Sequence, residues 1–450
     1  MSVETEATSV VALHAHRLRE SGARTLTGVV SDSGGVLRGK TVPAARIEVF
    51  AEAGMGASYT WPVFCVDNSI AATPELNVVG DFRLVADLET AVVLDGGFGW
   101  AAADLCDQDG RITPYCWRSL GKRQTHDLLS RGVSVAVGHE LEFILLEEDG
   151  TVTGHRHGWQ AYGVRPYSQV SDFGADLCEA LAVAGLPVEQ IHAEYGPGQF
   201  EISLPPRDPV AAADGVLLAR AVVGRTAARH GLHASFSPAP VPGQPGNGAH
   251  LHLSFSDAEG PLLSGGGGAA GLTLTGEHAL AGIIEHLPDM MAVLAGTVVS
   301  GERMQPGHWS GAFACWGVEN REAAVRLLLG NRGNPRGAHL EVKCVDPGAN
   351  PYLATALLLA AAGDGIARQV AAPAAVSVDP ATLVAGGAGP AVRALPRDPS
   401  ERLDRFAASA FCTEVLGAPL HGAVVSVRRQ ELPLCDDQSQ VLATRFAWSS

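Results

Sequence analysis

The stretch Gly138–Leu146, GHELEFILL, sets two glutamates one residue apart inside an apolar run of strand length. Side chains alternate between faces along a strand, so Glu140 and Glu142 share one face while Leu141, Phe143 and Leu145 share the other. One such strand decides little, because a glutamate pair on the wet face of an edge strand is common.

Recurrence decides it. In IHAEYGPGQFEISL, Glu201 and Ser203 alternate with Phe200, Ile202 and Leu204, and His192 and Glu194 stand two apart just upstream. In GAHLHLSF, His250, His252 and Ser254 face away from Leu251, Leu253 and Phe255; in AHLEVKC, His339, Glu341 and Lys343 oppose Leu340, Val342 and Cys344. Solvated strands carry mixed Thr, Lys, Ser and Gln on the wet face, whereas these carry almost only Glu and His. With the four apolar faces packed on helices, the four polar faces line one cavity.

Five carboxylates in one cavity (Glu140, Glu142, Glu194, Glu201 and Glu341) repel one another, and their pKa values rise until some take up protons. Divalent cations resolve the conflict. Carboxylate oxygens with a single imidazole suit Mg²⁺ or Mn²⁺ better than zinc, and two such ions nearly balance the cluster, leaving room for a polyphosphate. Cations of the kind that phosphoryl transfer needs also occur: Arg321 and Arg326 in CWGVENREAAVRLL, Arg303 in GERMQPGHW, and Arg336 with Lys343 in NPRGAHLEVK. Arginine forks stabilise charge on a transferring phosphoryl and clamp carboxylates. No P-loop, kinase-type glycine loop or dinucleotide fingerprint accompanies them, so metals and arginines hold the nucleotide.

The rest of the chain sets bounds. It has 450 residues, 46% hydrophobic and 18% charged, enough for more than one core. A net charge of −16, with no basic run, makes nucleic acid and membrane surfaces poor partners. The acidic N-terminus and the brevity of the longest apolar stretch, ATALLLAAAG, point to a cytoplasmic protein. The eight cysteines show no metal-binding spacing and read as buried small apolar residues in a reducing compartment.

Short β-like runs up to about Thr113 (TLTGVVSD, DFRLVADLE, TAVVLD) and one helix-like start, VVALHAHRLRES, describe a small mixed domain over 1–112; residues 113–450 form a second, larger one. There PYCWRSLGKRQTHDLLSRG reads as a helix stopped by Gly132. Asp208–Pro209 and Asn350–Pro351 each open a strongly apolar helix that packs behind a sheet. Two stretches, 264–276 and 370–396, read as loops.

These motifs resemble the glutamine synthetase family: GHELEFIL, EYGPGQFEI, GNGAHLHLS, CWGVENREAAVR and HLEVKCVDPGANPYL, with LRGKTVP and VGDFRLVADLET in the first domain. The resemblance implies an α+β fold, with a small β-grasp-like N-terminal domain and a catalytic domain built on a curved antiparallel sheet backed by helices. It implies ATP and two or three Mg²⁺ or Mn²⁺ ions per site, and a homo-oligomer of two stacked hexameric rings, a dodecamer. Carried over by position, Glu142, Glu194 and Glu201 hold one ion, and Glu140, His250 and Glu341 the other. Glu189, His192, His252, Ser254, Arg336 and His339 surround ATP. Arg303, Gly246, Gly248, His250 and Arg321 meet L-glutamate, and Arg321, Arg326 and Lys343 stabilise the transferring phosphoryl. The implied chemistry is attack of the glutamate γ-carboxylate on ATP, then displacement of phosphate from γ-glutamyl phosphate by an amine.

Two departures concern the nucleophile. Where ammonia-using members carry a flap glutamate, QPGHWSGAF has Trp309; where they carry an aspartate in the first domain, VFCVDNSIA has Cys65, with Asp67 displaced. Lost anions and a gained indole resemble the γ-glutamyl-amine ligases, which join glutamate to ethanolamine, polyamines or monoalkylamines. Lys343 and His339 where arginines are usual, and Pro245 where asparagine is, leave the acid substrate less fixed than the phosphoryl chemistry. Open alternatives are an ammonia-using enzyme that recruits Asp67 or His308, a silent nucleotide- or glutamate-binding member, and, remotely, a metal-dependent hydrolase.

Overall fold

The computed structural model describes residues 2–154, 158–385, 392–436 and 448. Among them the strands form two sheets. The smaller contains β1 (Thr25–Ser31), β2 (Leu37–Pro43), β3 (Met55–Ser58), β4 (Asp81–Ala86), β5 (Val92–Leu94) and β6 (Phe98–Cys106), in the order β2-β1-β6-β4-β3 with β5 added on β6. Its β1 and β6 run parallel and its other pairs antiparallel. Helices α1 (Ser2–Glu20) and α2 (Ile47–Glu52) pack on each other, and Phe50 of α2, fully buried, fills the space above Gly28 of β1.

The larger sheet contains β7 (Ser134–Glu147), β8 (Gln190–Ala193), β9 (Gln199–Arg207), β10 (Leu232–Ser235), β11 (Leu251–Asp257), β12 (Gly260–Pro261), β13 (Phe313–Val318), β14 (Ala323–Leu328), β15 (His339–Val342) and β16 (Arg393–Ala394), the four motif strands being β7, β9, β11 and β15. Its order is β16-β13-β14-β15-β11-β7-β9-β8, with β10 on β7 and β12 on β11. All its pairs are antiparallel except β13 with β14. Leu141, Phe143, Leu145, Ile202, Leu251, Leu253 and Leu340 are buried, as the alternation requires.

The remaining helices are α3 (Trp117–Ser130), α4 (Val164–Gln169), α5 (Ser171–Val183), α6 (Pro209–Arg229), α7 (Leu274–Leu294), α8 (Ser300–Arg303), α9 (Pro351–Arg368), α10 (Pro380–Ala385), α11 (Pro399–Ala408), α12 (Ala410–Leu416) and α13 (Ala418–Glu431). The Asp208 carboxylate caps α6 by accepting from Val210 N at 3.0 Å, and the Asn350 side-chain oxygen caps α9 by accepting from Tyr352 N at 3.0 Å. Helix α6 lies on β7, β9 and β10. Helix α9 packs mainly against α3, α6 and α7; its first turn, at Pro351 and Ala354, reaches the sheet beside Leu141 and Leu251. The α7–α9 crossing is close because Gly282 meets Gly365: a Cβ on Gly282 would stand 2.7 Å from the Gly365 Cα.

The two stretches read as loops hold more order than their composition suggests. Thr273 Oγ1 accepts from Gly276 N at 3.0 Å and starts α7 inside the first. In the second, α10 opens at Pro380 and β16 pairs with β13; residues 386–391 lie outside the described residues. Side-chain capping and tertiary strand pairing override glycine and alanine content here.

The two sheets are bound by buried polar contacts. Asn350 Nδ2 donates to Ser31 O and Asp32 O at 2.9 and 3.0 Å. Arg118 of α3 pairs with Asp214 of α6 at 2.9 Å and with Asp87 and Asp104 of the small-sheet unit at 2.9 and 3.3 Å. No disulfide joins the eight cysteines. Among the described residues no single helix is long and apolar enough to cross a membrane.

Candidate active site

Strand register brings the polar faces into rows. Glu142 stands opposite Glu201, and Glu201 opposite His192, across β7, β9 and β8. His252 stands opposite Glu341, and Glu341 opposite Arg326, across β11, β15 and β14. Between the rows, Glu140 N donates to His250 O and Glu142 N to Gly248 O, each at 3.0 Å, so the chain entering β11 extends the pairing along β7. Two glutamates directly opposite each other weaken a sheet, so the Glu142–Glu201 pair needs a cause outside stability.

Three donor groups follow one another along this face: Glu140, His252 and Glu341; Glu140, Glu201 and His250; and His192, Glu194 and Glu201. Within each, one ligand atom per residue lies within 4.8 Å of the others. Glu140 and Glu201 each belong to two groups. His250 Nδ1 is 3.1 Å from Glu140 Oε2 and 3.3 Å from Glu341 Oε1, and His192 Nε2 is 2.9 Å from Glu194 Oε1. His252 Nε2, buried and 3.4 Å from Glu140 Oε1, makes no aligned hydrogen bond. An orphaned imidazole nitrogen amid carboxylate oxygens is a donor set that fits divalent cations of the Mg²⁺ or Mn²⁺ kind.

The grouping differs in detail from the one the resemblance implies. Histidines 192 and 252, expected beside ATP, stand in donor groups. Glu142 also meets protein donors: its Oε2 accepts from Gln199 Nε2 at 2.7 Å and from Gly248 N at 2.9 Å, and its Oε1 lies 3.6 Å from His250 Nε2.

The carboxyls are divided electrostatically. Burial opposes ionisation of Glu140, yet the His250 hydrogen bond and the nearby His252 ring hold it well below the ordinary range. Burial works the same way on Glu341, but Lys343 Nζ at 2.9 Å, with His250 and His252, brings it down to about 2. Burial wins at Glu142 and pushes it up, with Glu194 adding to the effect. It wins more strongly at Glu201, joined by repulsion from Glu140, Glu142 and Glu194. The cluster thus holds settled anions at Glu140 and Glu341 and reluctant ones at Glu142 and Glu201.

The cations surround this cluster. Arg326 donates to Glu341 Oε2 at 3.2 Å and to Glu319 Oε2 at 2.5 Å. Arg303, only 4% exposed, donates through Nη2 to Lys343 O at 3.0 Å and lies 3.2 Å from His250 Nε2. Gly248 lies between them: a Cβ there would stand 2.5 Å from His250 Nε2, 2.8 Å from Arg303 Nη2 and 2.9 Å from Glu142 Oε1, so a side chain there would displace these three groups. Gly246 presents its carbonyl to Gln199 Nε2 at 3.0 Å. The His339 ring packs 5.1 Å from that of His252, and Ser254 stands half-buried on β11. Glu189 and Arg336 are exposed, and their side chains make no hydrogen bond or ion pair among the described residues.

At the other end, Trp309 is 43% exposed, and the Arg321 guanidinium lies over its ring at 5.7 Å. Asp67 is engaged locally, accepting from Ser69 N at 2.9 Å and Ser69 Oγ at 2.6 Å, and Cys65 is buried, its thiol pushed up to about 12 by burial and then by Glu431.

Sequence reading missed three residues. Gln199 shares the face of Glu201 and Ser203, so the same alternation would have found it. Asn247, fully buried, fixes the turn before Gly248 by donating to Ser237 O at 2.9 Å. Tyr162 stacks on His192 with centroids 6.1 Å apart, and burial and the neighbouring Glu194 push its hydroxyl up; it sits on an irregular segment that no periodicity marks.

Comparisons with known proteins bear on this arrangement. The sequence profile of the glutamine synthetase catalytic domain matches residues 114–446. The chain is 39% identical over 408 residues to the γ-glutamylpolyamine synthetase GlnA3 of Streptomyces coelicolor, covering 89% of this chain and 88% of that one. A solved structure described as a novel glutamine synthase homolog superposes with a TM-score of 0.84 at 31% identity, covering 94% of this chain and 98% of the other. The ADP complex of GmaS superposes with a TM-score of 0.82 at 28% identity, covering 94% and 96%.

Proposed function

The chain belongs to the glutamine synthetase family and is a ligase, and from that premise we propose that it joins the γ-carboxylate of L-glutamate to an organic amine, consuming ATP. The carrying observation is the contrast between the two ends of the site. The carboxylate and imidazole donors lie in groups whose ligand atoms are within 4.8 Å of one another, with Arg326 3.2 Å from Glu341, while the flap offers an indole where ammonia-using members carry a carboxylate. The likeness to a γ-glutamylpolyamine synthetase supports the same reading.

Arg303 pairs with the substrate α-carboxylate, beside a turn that Gly248, Asn247 and Gln199 keep tight. The γ-carboxylate oxygen attacks the ATP γ-phosphorus, the bond to the ADP oxygen breaks, and γ-glutamyl phosphate forms. Arg326 and Arg321 offset negative charge on the phosphoryl as it moves, and Lys343 holds Glu341 ionised beside them. The amine then adds to the acyl carbon of γ-glutamyl phosphate, phosphate leaves and the amine loses a proton, giving a γ-glutamyl amide. Mg²⁺ or Mn²⁺, held by the Glu140, Glu142, Glu194, Glu201, Glu341 and histidine donors, would supply Lewis acidity and charge neutralisation when bound. Trp309 gives the amine a flat face suited to an organic cation.

We extend the reading to a cytoplasmic homo-oligomer, a dodecamer of stacked hexamers. Val78 and Val79, at 84% and 76% exposure on the small-sheet unit, supply apolar surface for a neighbouring copy. Light scattering on purified protein measures the assembly; a monomer contradicts that extension.

The test of the reaction is phosphate release and product mass with ATP, Mg²⁺, glutamate and a panel containing ammonia, ethanolamine, monoalkylamines and polyamines. At least one organic amine should exceed ammonia in kcat/KM; ammonia equal to or above every organic amine overturns the reading.

A further inference from the structure

The flap that carries Trp309 is tied down by a single carboxylate. Glu322, immediately before β14 and 8% exposed, accepts through Oε1 from Trp309 N at 2.9 Å and through Oε2 from Gly307 N at 3.2 Å. Both donors are in the left-handed region, Gly307 with φ 81° and Trp309 with φ 51°. That region is natural for glycine and costly for an aromatic residue, so the Trp309 backbone stays there only because something holds it. The turn before Glu322 is itself anchored. Asn320 Oδ1 accepts from Glu322 N at 3.1 Å, while Asn320 Nδ2 donates to Val376 O at 2.9 Å and Val378 O at 3.0 Å. Arg321, between Asn320 and Glu322, sends its guanidinium over the indole that Glu322 positions. Three consecutive residues, Asn320, Arg321 and Glu322, thus fix the flap, the arginine over its indole and the distance between them.

We propose that Glu322 is the positioning residue of the amine end: it latches the 305–311 segment through two main-chain N–H groups, so that the Trp309 indole keeps water from the acyl phosphate and presents its face to the amine. The role of the indole rests on the amine-ligase reading above. The latch itself does not. A released flap admits water, which adds to the acyl carbon of γ-glutamyl phosphate; phosphate leaves, glutamate is regenerated, and ATP is hydrolysed with no amide formed.

The experiment compares wild type with Glu322→Ala, Glu322→Gln and Trp309→Ala. It reads amide hydrogen exchange at Gly307 and Trp309, and the ratio of phosphate released with ATP and glutamate alone to that released when amine is added. Glu322→Ala should speed exchange at both amides and raise the ratio roughly tenfold or more, as loss of hydrogen bonds to a charged acceptor implies. The KM for amine should rise while the KM for ATP stays unchanged. Glu322→Gln, which keeps one acceptor oxygen, should fall between, and serves if the alanine variant does not fold. Trp309→Ala should raise the ratio while leaving the Gly307 amide protected. Wild-type exchange at both amides in Glu322→Ala overturns the latch; fast exchange with an unchanged ratio overturns the shielding role. If wild type makes no amide with any amine, the amine reading fails and the exchange measurement still decides the latch.

Discussion

Glu201→Gln should raise the melting temperature of the metal-free protein and at the same time diminish the stabilisation that Mg²⁺ brings. Ligand oxygens of Glu201 lie within 4.8 Å of Glu140 in one donor group and of Glu194 in another. Two unit charges at that separation, with an effective dielectric constant of 20, repel by about 3.5 kcal/mol. The protein lowers this cost by protonating Glu201, whose carboxyl burial and three neighbouring glutamates push well above its usual 4.5. Between that value and the raised one, the folded protein holds a proton that the unfolded chain releases, so stability falls as pH rises through the window. A glutamine carries no such penalty. Wild type and variant should therefore melt alike near pH 4 and diverge toward about pH 8, where the variant gains about 1–3 kcal/mol. With an unfolding entropy of about 2 cal/mol/K per residue, 450 residues convert that to about 1–3 °C. Adding Mg²⁺ at 100 times its Kd should stabilise wild type by about 2.7 kcal/mol per site, roughly 3 °C here. The variant, having lost a ligand from two of the three donor groups, should respond much less. Calorimetric scans of chelator-treated protein at one scan rate, with and without Mg²⁺, from about pH 4 to 8 provide the assay. A metal-free variant that melts below wild type throughout this range refutes the electrostatic account.

Other substitutions probe separate parts of the site. Gln199→Ala removes the donor shared by Glu142 and the Gly246 carbonyl; at about 1–3 kcal/mol for an orphaned buried acceptor, the KM for glutamate should rise about 5- to 150-fold with the KM for ATP little changed. An equal rise in both constants contradicts a role confined to the glutamate side. Lys343→Met leaves Glu341, buried and 2.9 Å from the lost ammonium, with Arg326 as its remaining cationic partner; the metal-free protein should lose about 3–5 kcal/mol, seen as a lower melting temperature that Lys343→Arg largely restores. A wild-type melting temperature in Lys343→Met shows that the pair is not needed.

Alternation and register account for what the sequence made legible. The period-2 rows of Glu and His in β7, β9, β11 and β15 identify a common face without coordinates, because a one-residue slip would bury every charge among Leu141, Phe143, Ile202 and Leu253. Caps at Asp208 and Asn350 were legible for the same local reason: side chain and first turn are adjacent in sequence. Long-range partnerships were not. Glu322 reads as an exposed charge until the fold brings Gly307 and Trp309 to it, and Tyr162 acquires meaning only by stacking on His192. The division of Glu140, Glu341, Glu142 and Glu201 into settled and reluctant anions likewise depends on which of them His250, His252 and Lys343 touch.

The central claim, activation of a glutamate carboxylate by phosphoryl transfer before an amine displaces it, is tested most directly by oxygen transfer. Glutamate labelled with ¹⁸O in its γ-carboxylate is incubated with ATP, Mg²⁺ and the best amine of the panel, and the released phosphate is analysed by mass spectrometry. One labelled oxygen should appear in each phosphate, in step with the γ-glutamyl amide formed. Phosphate released without label while amide accumulates would contradict the account.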